Sequence, residues 1–88
     1  MLTDNLSAIL TNDFNPQFLA YDFFDKNINI VISSRCFINQ PISERVRSIY
    51  QCIEKNIPET FESYSVFVHT FTEEELIEVL QLHNEKGT

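Results

Sequence analysis

The first rhythm in the chain is helical, because Leu2, Leu6, Ile9 and Leu10 recur at the three- and four-residue intervals that line one side of a helix. Thr3 or Asp4 is placed to cap its first amides, and the pattern ends near Asp13. Asn15-Pro16 stops it, since proline drives the residue before it away from helical angles. The run Phe18-Leu19-Ala20-Tyr21-Asp22-Phe23-Phe24 then favours a strand, Asp25-Lys26-Asn27 a tight turn, and Ile28-Asn29-Ile30-Val31-Ile32-Ser33 a second strand. Alternation in that second strand predicts an antiparallel hairpin with Ile28, Ile30 and Ile32 facing the core.

Residues Phe37-Ile38-Asn39-Gln40-Pro41 read as a loop, after which Ser43 and Glu44 open a second helix. Val46, Ile49, Tyr50, Ile53 and Ile57 form its apolar face, and Pro58 ends it. A short turn or single helical turn follows through Glu59-Thr60-Phe61, then a third strand over Tyr64-Ser65-Val66-Phe67-Val68-His69. Thr72, with Glu75 three residues on, makes a capping box for a last helix, whose buried face draws on Leu76, Ile77, Val79, Leu80 and Leu82. The expected order is α, β, β, α, a short turn, β, α. That order suits an α+β sandwich of two layers, with helices on one face of the sheet and parallel pairing across the crossover. Residues 1–88 make one domain, with residues 84–88 expected to fray.

Composition narrows the function. A formal charge of -7 and a pI near 4.5 repel phosphate backbones and anionic membranes before any local contact forms. Yet Arg35, Arg45 and Arg47 cluster while Glu73, Glu74, Glu75 and Glu78 crowd another stretch, so a local basic patch survives. That patch at the start of the second helix either binds an anion (a partner's carboxylate, a glutathione moiety, a phosphate) or is a solvated face partly neutralised by Glu44 or Glu54. The two cysteines, Cys36 and Cys52, have neither redox-motif nor zinc spacing, and read as reduced thiols. No stretch reaches the roughly 20 apolar residues of a membrane span, and nothing at the start resembles a targeting peptide, so the expected location is cytoplasmic. Catalysis is not indicated: no Ser/His/Asp, Cys/His or paired-histidine arrangement is present.

The run from Phe37 to Tyr50 carries the most specific pattern. Phe37, Arg45, Arg47, Ile49 and Tyr50 resemble in place the core signature of the BolA family, and Val66-Phe67-Val68-His69-Thr70-Phe71-Thr72 before Glu73-Glu74 resembles its third strand and last helix. The resemblance spans the first helix to about Leu80. It implies the BolA fold, a relative of the type II KH fold with a three-stranded mixed sheet. It also implies a monothiol glutaredoxin as partner, a [2Fe-2S] cluster shared with that partner but none bound by the chain alone, and a role in iron-sulfur cluster handling or in iron and stress regulation.

Departures from the family pattern fall where its chemistry sits. The family's histidine at the start of the third strand is Tyr64 here, and the hairpin position that is often His is Asn27. Clusters are held by thiolate or imidazole, so the chain is expected to dock without efficient cluster sharing. Asn39 replaces a loop glycine, Pro41 a serine, and Val46 the histidine between the arginines. Asparagine accepts the left-handed angles such a glycine position demands. Candidate partner-binding residues are therefore Phe37, Asn39, Arg45, Arg47 and Tyr64. Cys36 and His69 are the substitute metal ligands to weigh, each against an ordinary structural role, with His83 behind them. KH kinship raises a second reading, a nucleic-acid-binding transcriptional regulator using the helix-two arginines. The chain has no GxxG clamp, since its single glycine is Gly87, and its net charge opposes that reading. By itself the chain is expected to be a monomer or a weak dimer.

Overall fold

The computed structural model describes the backbone of residues 2–87 and the side chains of residues 2–81. Its elements are α1 (Leu2–Phe14), β1 (Phe18–Phe24), β2 (Asn27–Ser33), a 3-10 turn (Arg35–Phe37), α2 (Ile42–Asn56), α3 (Thr60–Ser63), β3 (Ser65–Phe71) and α4 (Glu73–Gly87). The α+β order matches the expectation. The sheet runs β1-β2-β3, with β1 antiparallel and β3 parallel to β2.

Alternation along β2 decides which face is buried. Ile28, Ile30 and Ile32 are fully buried, and the register sets Leu19, Tyr21 and Phe23 on one side of them and Val66, Val68 and Thr70 on the other. Leu6 and Leu10 of α1 and Ile49, Cys52 and Ile53 of α2 close that face into the core, together with Phe37 from the 3-10 turn. Two tyrosine hydroxyls of this layer find local partners, whereas the buried Thr70 hydroxyl has none among the described residues. Tyr50 donates its hydroxyl to the Val66 carbonyl at 2.6 Å, and Tyr21 shares a 3.0 Å hydrogen bond with Ser7. The opposite face carries Phe18, Ala20, Asp22 and Phe24 on β1, Asn29 and Val31 on β2, and Phe67, His69 and Phe71 on β3. Phe18, Phe24, Phe67 and His69 there are exposed to solvent.

Helix ends depart from expectation for local reasons. Thr3 and Asp4 lie inside the first turn of α1, where Asp4 complements the helix dipole. At its other end Asn15 takes a left-handed φ of 43° and donates its amide to the Thr11 carbonyl. Ser43 and Glu44 likewise fall within α2, which starts at Ile42 behind Pro41, with no side-chain cap. The buried stripe of α2 is centred on Ile49 and Ile53 and takes in Arg45 and Cys52, leaving Val46 and Tyr50 on its half-buried flank. Thr72 and Glu75 do form the capping box: the Glu75 amide donates to Thr72 Oγ1 at 3.2 Å and the Thr72 amide to Glu75 Oε1 at 2.8 Å.

The last helix is the largest correction. Leu76 is half-buried, but Ile77, Val79 and Leu80 are exposed, so they do not supply a buried face. The helix is held at its first turn and then leaves the domain. Leu82, His83 and the expected fraying of residues 84–88 lie outside the residues whose side chains are described. Among the described residues no helix is long and apolar enough to cross a membrane.

The two faces of β2 should respond differently to truncation. Ile30→Ala is expected to cost roughly 2–5 kcal/mol through the cavity it leaves, whereas Val31→Ala on the open face should cost about 1 kcal/mol or less. Urea unfolding of both variants measures the contrast, and equal losses would contradict this assignment of faces.

Candidate functional site

Chain reversals build two separate ends. At one, β2 and β3 finish together: the Ser34 amide donates to the Phe71 carbonyl at 3.1 Å, and Ser34 Oγ donates to the Phe14 carbonyl while accepting the Cys36 amide at 3.1 Å. The chain then winds through the 3-10 turn and reverses at Asn39, whose φ of 66° is the left-handed angle anticipated for it. Phe37 is thereby driven inside, its ring 5.9 Å from that of Phe14 and 5.9 Å beneath the Arg45 guanidinium. A fully buried Phe37 presents no surface to a partner.

Arg45 is equally committed to the fold. Its Nε donates to the Gln40 carbonyl at 2.8 Å, and its Nη1 reaches Glu75 Oε1 at 2.7 Å. The arginine side chain is 7% exposed and the glutamate 42%. One guanidinium thus ties the loop, α2 and the first turn of α4 together, with cation–π contact to Phe37 below. The Arg45 bond and the Thr72 amide hold the Glu75 carboxyl below its ordinary range. Beside this joint lies a cleft of about 330 Å³, lined by Arg35, Ile38 and Asn39 on one wall and by Thr72, Glu73 and Glu74 on the other. Arg47 stays on the exposed surface of α2. The three-arginine patch loses its middle member to the interior, which leaves Arg35 and Arg47 for any anion.

The other end lies across the sheet, about 20 Å away along a seven-residue strand. Here the hairpin reverses through Asp25, at a φ of 58°, and the Ser65 amide donates to the Lys26 carbonyl at 2.8 Å. That bond and the pairing of Asn27 with Ser65 bring Tyr64 beside the hairpin. Tyr64 is half-buried, with its ring edge-on to Phe23 at 6.4 Å. The positions that the family resemblance assigns to cluster ligation are thus neighbours along the backbone at this end, Asn27 on the side of the open face and Tyr64 against Phe23 on the other, and they hold an amide and a phenol. Neither supplies the thiolate or imidazole that a cluster needs.

Neither substitute ligand joins them. Cys36 is exposed at the loop end, its thiol 3.5 Å from the Phe14 carbonyl, and His69 stands mid-strand on the open face between Phe67 and Phe71. Among the described residues no cluster of three or more His, Cys, Asp or Glu could hold a metal ion. The expected single contact surface, from Asn39 and Arg47 to Tyr64, is divided between the two ends. Sequence reasoning missed Arg45 as a buried joint, although its place one helical turn before Ile49 on the buried stripe was the available signal.

Cys52 shows what burial does to a thiol in this fold. It donates to Asp13 Oδ2 at 3.1 Å, and burial first, then the bond to Asp13 and its negative charge, push it up to about 12.

Three-layer α/β arrangements are excluded by the open sheet face, so the chain is a two-layer α+β protein with a hairpin, a helical crossover and a parallel third strand. Its particular version is the BolA-like fold. The structure is similar to BolA1 from Arabidopsis thaliana (TM-score 0.70, 16% identity, 82% of this chain and 92% of that one). It is also similar to the BolA domain of SufE1 from Arabidopsis thaliana (0.68, 17%, 80% and 89%). A third likeness is to a bol-like protein from Babesia bovis (0.67, 21%, 82% and 85%). No family model matches the sequence, and no curated protein matches it.

Two outcomes follow from these bonds. Because the folded Glu75 carboxyl titrates below its ordinary value of 4.5, its stabilisation is complete above that value and drains away as pH falls through the lower folded one. Glu75→Gln should lower stability at neutral pH by about 1 kcal/mol, modest because the carboxylate stays partly in water. Urea titrations should show the gap closing toward pH 3, and a gap independent of pH would refute the ion-pair account. Second, brief alkylation at about pH 7.5 should modify Cys36 and spare Cys52, since only thiolates react. Mass spectrometry with equal adducts at both would contradict it.

Proposed function

We propose that this chain is a BolA-like, non-enzymatic adaptor that docks on a monothiol glutaredoxin within iron-sulfur cluster handling or iron and stress regulation, and that it contributes no efficient ligand to a shared [2Fe-2S] cluster. The observation that carries this reading is the pairing of Ser65, next in sequence to Tyr64, with Asn27 of the hairpin on a BolA-like scaffold. The scaffold is kept while both positions of the expected ligand pair hold side chains that bind iron clusters poorly. The SufE1 relative, a BolA domain within a larger protein, supports an iron-sulfur setting.

The partner meets the hairpin end, where Asn27, Tyr64 and the exposed Phe23 form the contact. Arg47 and Asn39 at the far end remain available to a larger partner or to an anion. Nucleic-acid binding gains nothing from the structure, because burial of Arg45 removes a charge that the acidic chain could not spare.

Titrating the isotope-labelled chain with apo and cluster-loaded monothiol glutaredoxin tests both halves. Amide shifts centred on Asn27, Tyr64 and Ser65 are expected, with no change in the glutaredoxin cluster's visible spectrum. Tyr64→His should restore an imidazole and shift that spectrum. Unmoved amides at the hairpin end would defeat the docking claim, and a shared-cluster spectrum with the unmodified chain would defeat the claim of ligand loss.

A further inference from the structure

Tyr64 has a second side. Its ring meets Phe23 at the hairpin, and it also lines a notch of about 270 Å³ between the start of α1 and α3. Leu2 and Ile57 add apolar wall, while Asn5, Glu59, Thr60 and Ser63 add polar groups. That volume falls below the roughly 300–1,000 Å³ of sites that take a whole small molecule. It suits one long side chain. Thr60 shows what the notch lacks. It is 3% exposed, and its Oγ1 has no hydrogen-bond partner among the described residues. A hydroxyl withdrawn from water with nothing to bond costs stability, and a valine would fill the same space without that cost. Glu59 is also uncommitted, since its side chain neither caps α3 nor joins an ion pair among the described residues.

We infer that this notch receives an arginine side chain of the docking partner, a step that rests on the docking proposed at the hairpin end, since Tyr64 belongs to both surfaces. Glu59 takes the charge of the guanidinium, and Asn5, Thr60 and Ser63 take its other donors. The chemistry of the walls selects that group. A carboxylate, an amide oxygen and two hydroxyls can all accept, and arginine brings five N–H donors in a flat fork and no acceptor. Lysine brings a compact, strongly hydrated charge that leaves its water less readily.

Charge points the same way. The helix dipoles oppose each other, because α1 brings its positive end to the notch at Leu2 and α2 its negative end at Ile57. Side-chain charge therefore decides. Glu59 lines the notch, and Asp4 and Glu62 are exposed on the two helices that flank it. Lys26 and Lys55 belong to the same end of the molecule, and neither lines the notch. An acidic side chain entering here would meet carboxylates, and an apolar one would leave the Thr60 hydroxyl unpaired. A guanidinium answers both.

NMR of the isotope-labelled full chain tests the notch first without the partner. Acetyl-arginine amide, whose only charge is its guanidinium, should move the amides of Asn5, Thr60 and Ser63 along one saturable curve, and acetyl-norleucine amide should not. Glu59→Gln should abolish that response. Apo monothiol glutaredoxin labelled at its arginine side chains should then show one Nε–H resonance shifted by the unlabelled chain, and Glu59→Gln and Thr60→Val should each weaken the complex about tenfold. Thr60→Val carries the distinguishing sign: its urea midpoint should rise while its affinity falls, a combination that a purely structural threonine does not give. No saturable response to the arginine amide, or full affinity in both variants, would overturn the inference. Shifts at Asn27 and Ser65 on glutaredoxin binding, with Asn5, Thr60 and Ser63 unmoved, would overturn it and leave docking at the hairpin intact. A response to the arginine amide with every amide unmoved by glutaredoxin would instead defeat the docking, and with it the assignment of the arginine to that partner.

Discussion

Arg45 is the constraint on which the loop end of this protein depends. A guanidinium that loses most of its water needs partners for its donors, and here a backbone carbonyl, a carboxylate and an aromatic face provide them. Each of those partners belongs to a different segment, so meeting the needs of one side chain fixes the reversal at Asn39, the start of α2 and the direction in which α4 departs. The charge is retained for geometry. Arg45, which the resemblance placed among the partner-binding residues, is part of the framework, and Arg35 and Arg47 are the members of the patch left at the surface.

Much of the scaffold was legible in the chain because it is written in short-range patterns. Isoleucine at every second position of β2 announces a strand with one buried face, and Thr72 with Glu75 announces a helix start that the structure reproduces bond for bond. The left-handed angle at Asn39 followed from residue chemistry and the resemblance together. Long-range facts were less visible. The apolar residues of α4 carry a helical rhythm that says they can be buried, but nothing local says whether the rest of the chain comes near enough to bury them. Likewise Arg45 reads as a surface charge until Glu75, remote in sequence, is placed beside it. The division of the candidate contact residues between two ends is a property of topology alone, since α2 runs the length of the sheet before β3 begins.

On this BolA-like fold the third strand sets Ser65 against Asn27 of the hairpin, which brings the Tyr64 ring to the same corner. A phenol edge-on to Phe23 is well suited to packing against another protein and poorly suited to holding iron. Function on such a scaffold is decided by which atoms face outward at one corner, while the core only guarantees that the corner exists.

The parallel pairing of β2 with β3 also orders the way the chain folds. The β1–β2 hairpin joins neighbours in sequence and closes within microseconds, whereas β3 must wait for α2 and α3 to span the sheet and bring it alongside. Glu75 reaches Arg45 only after β3 has docked. Detachment of the third strand would carry Glu75 away from Arg45 and open the Phe37 ring beneath the guanidinium to water, so the anchor of α4 depends on the pairing of β3 with β2.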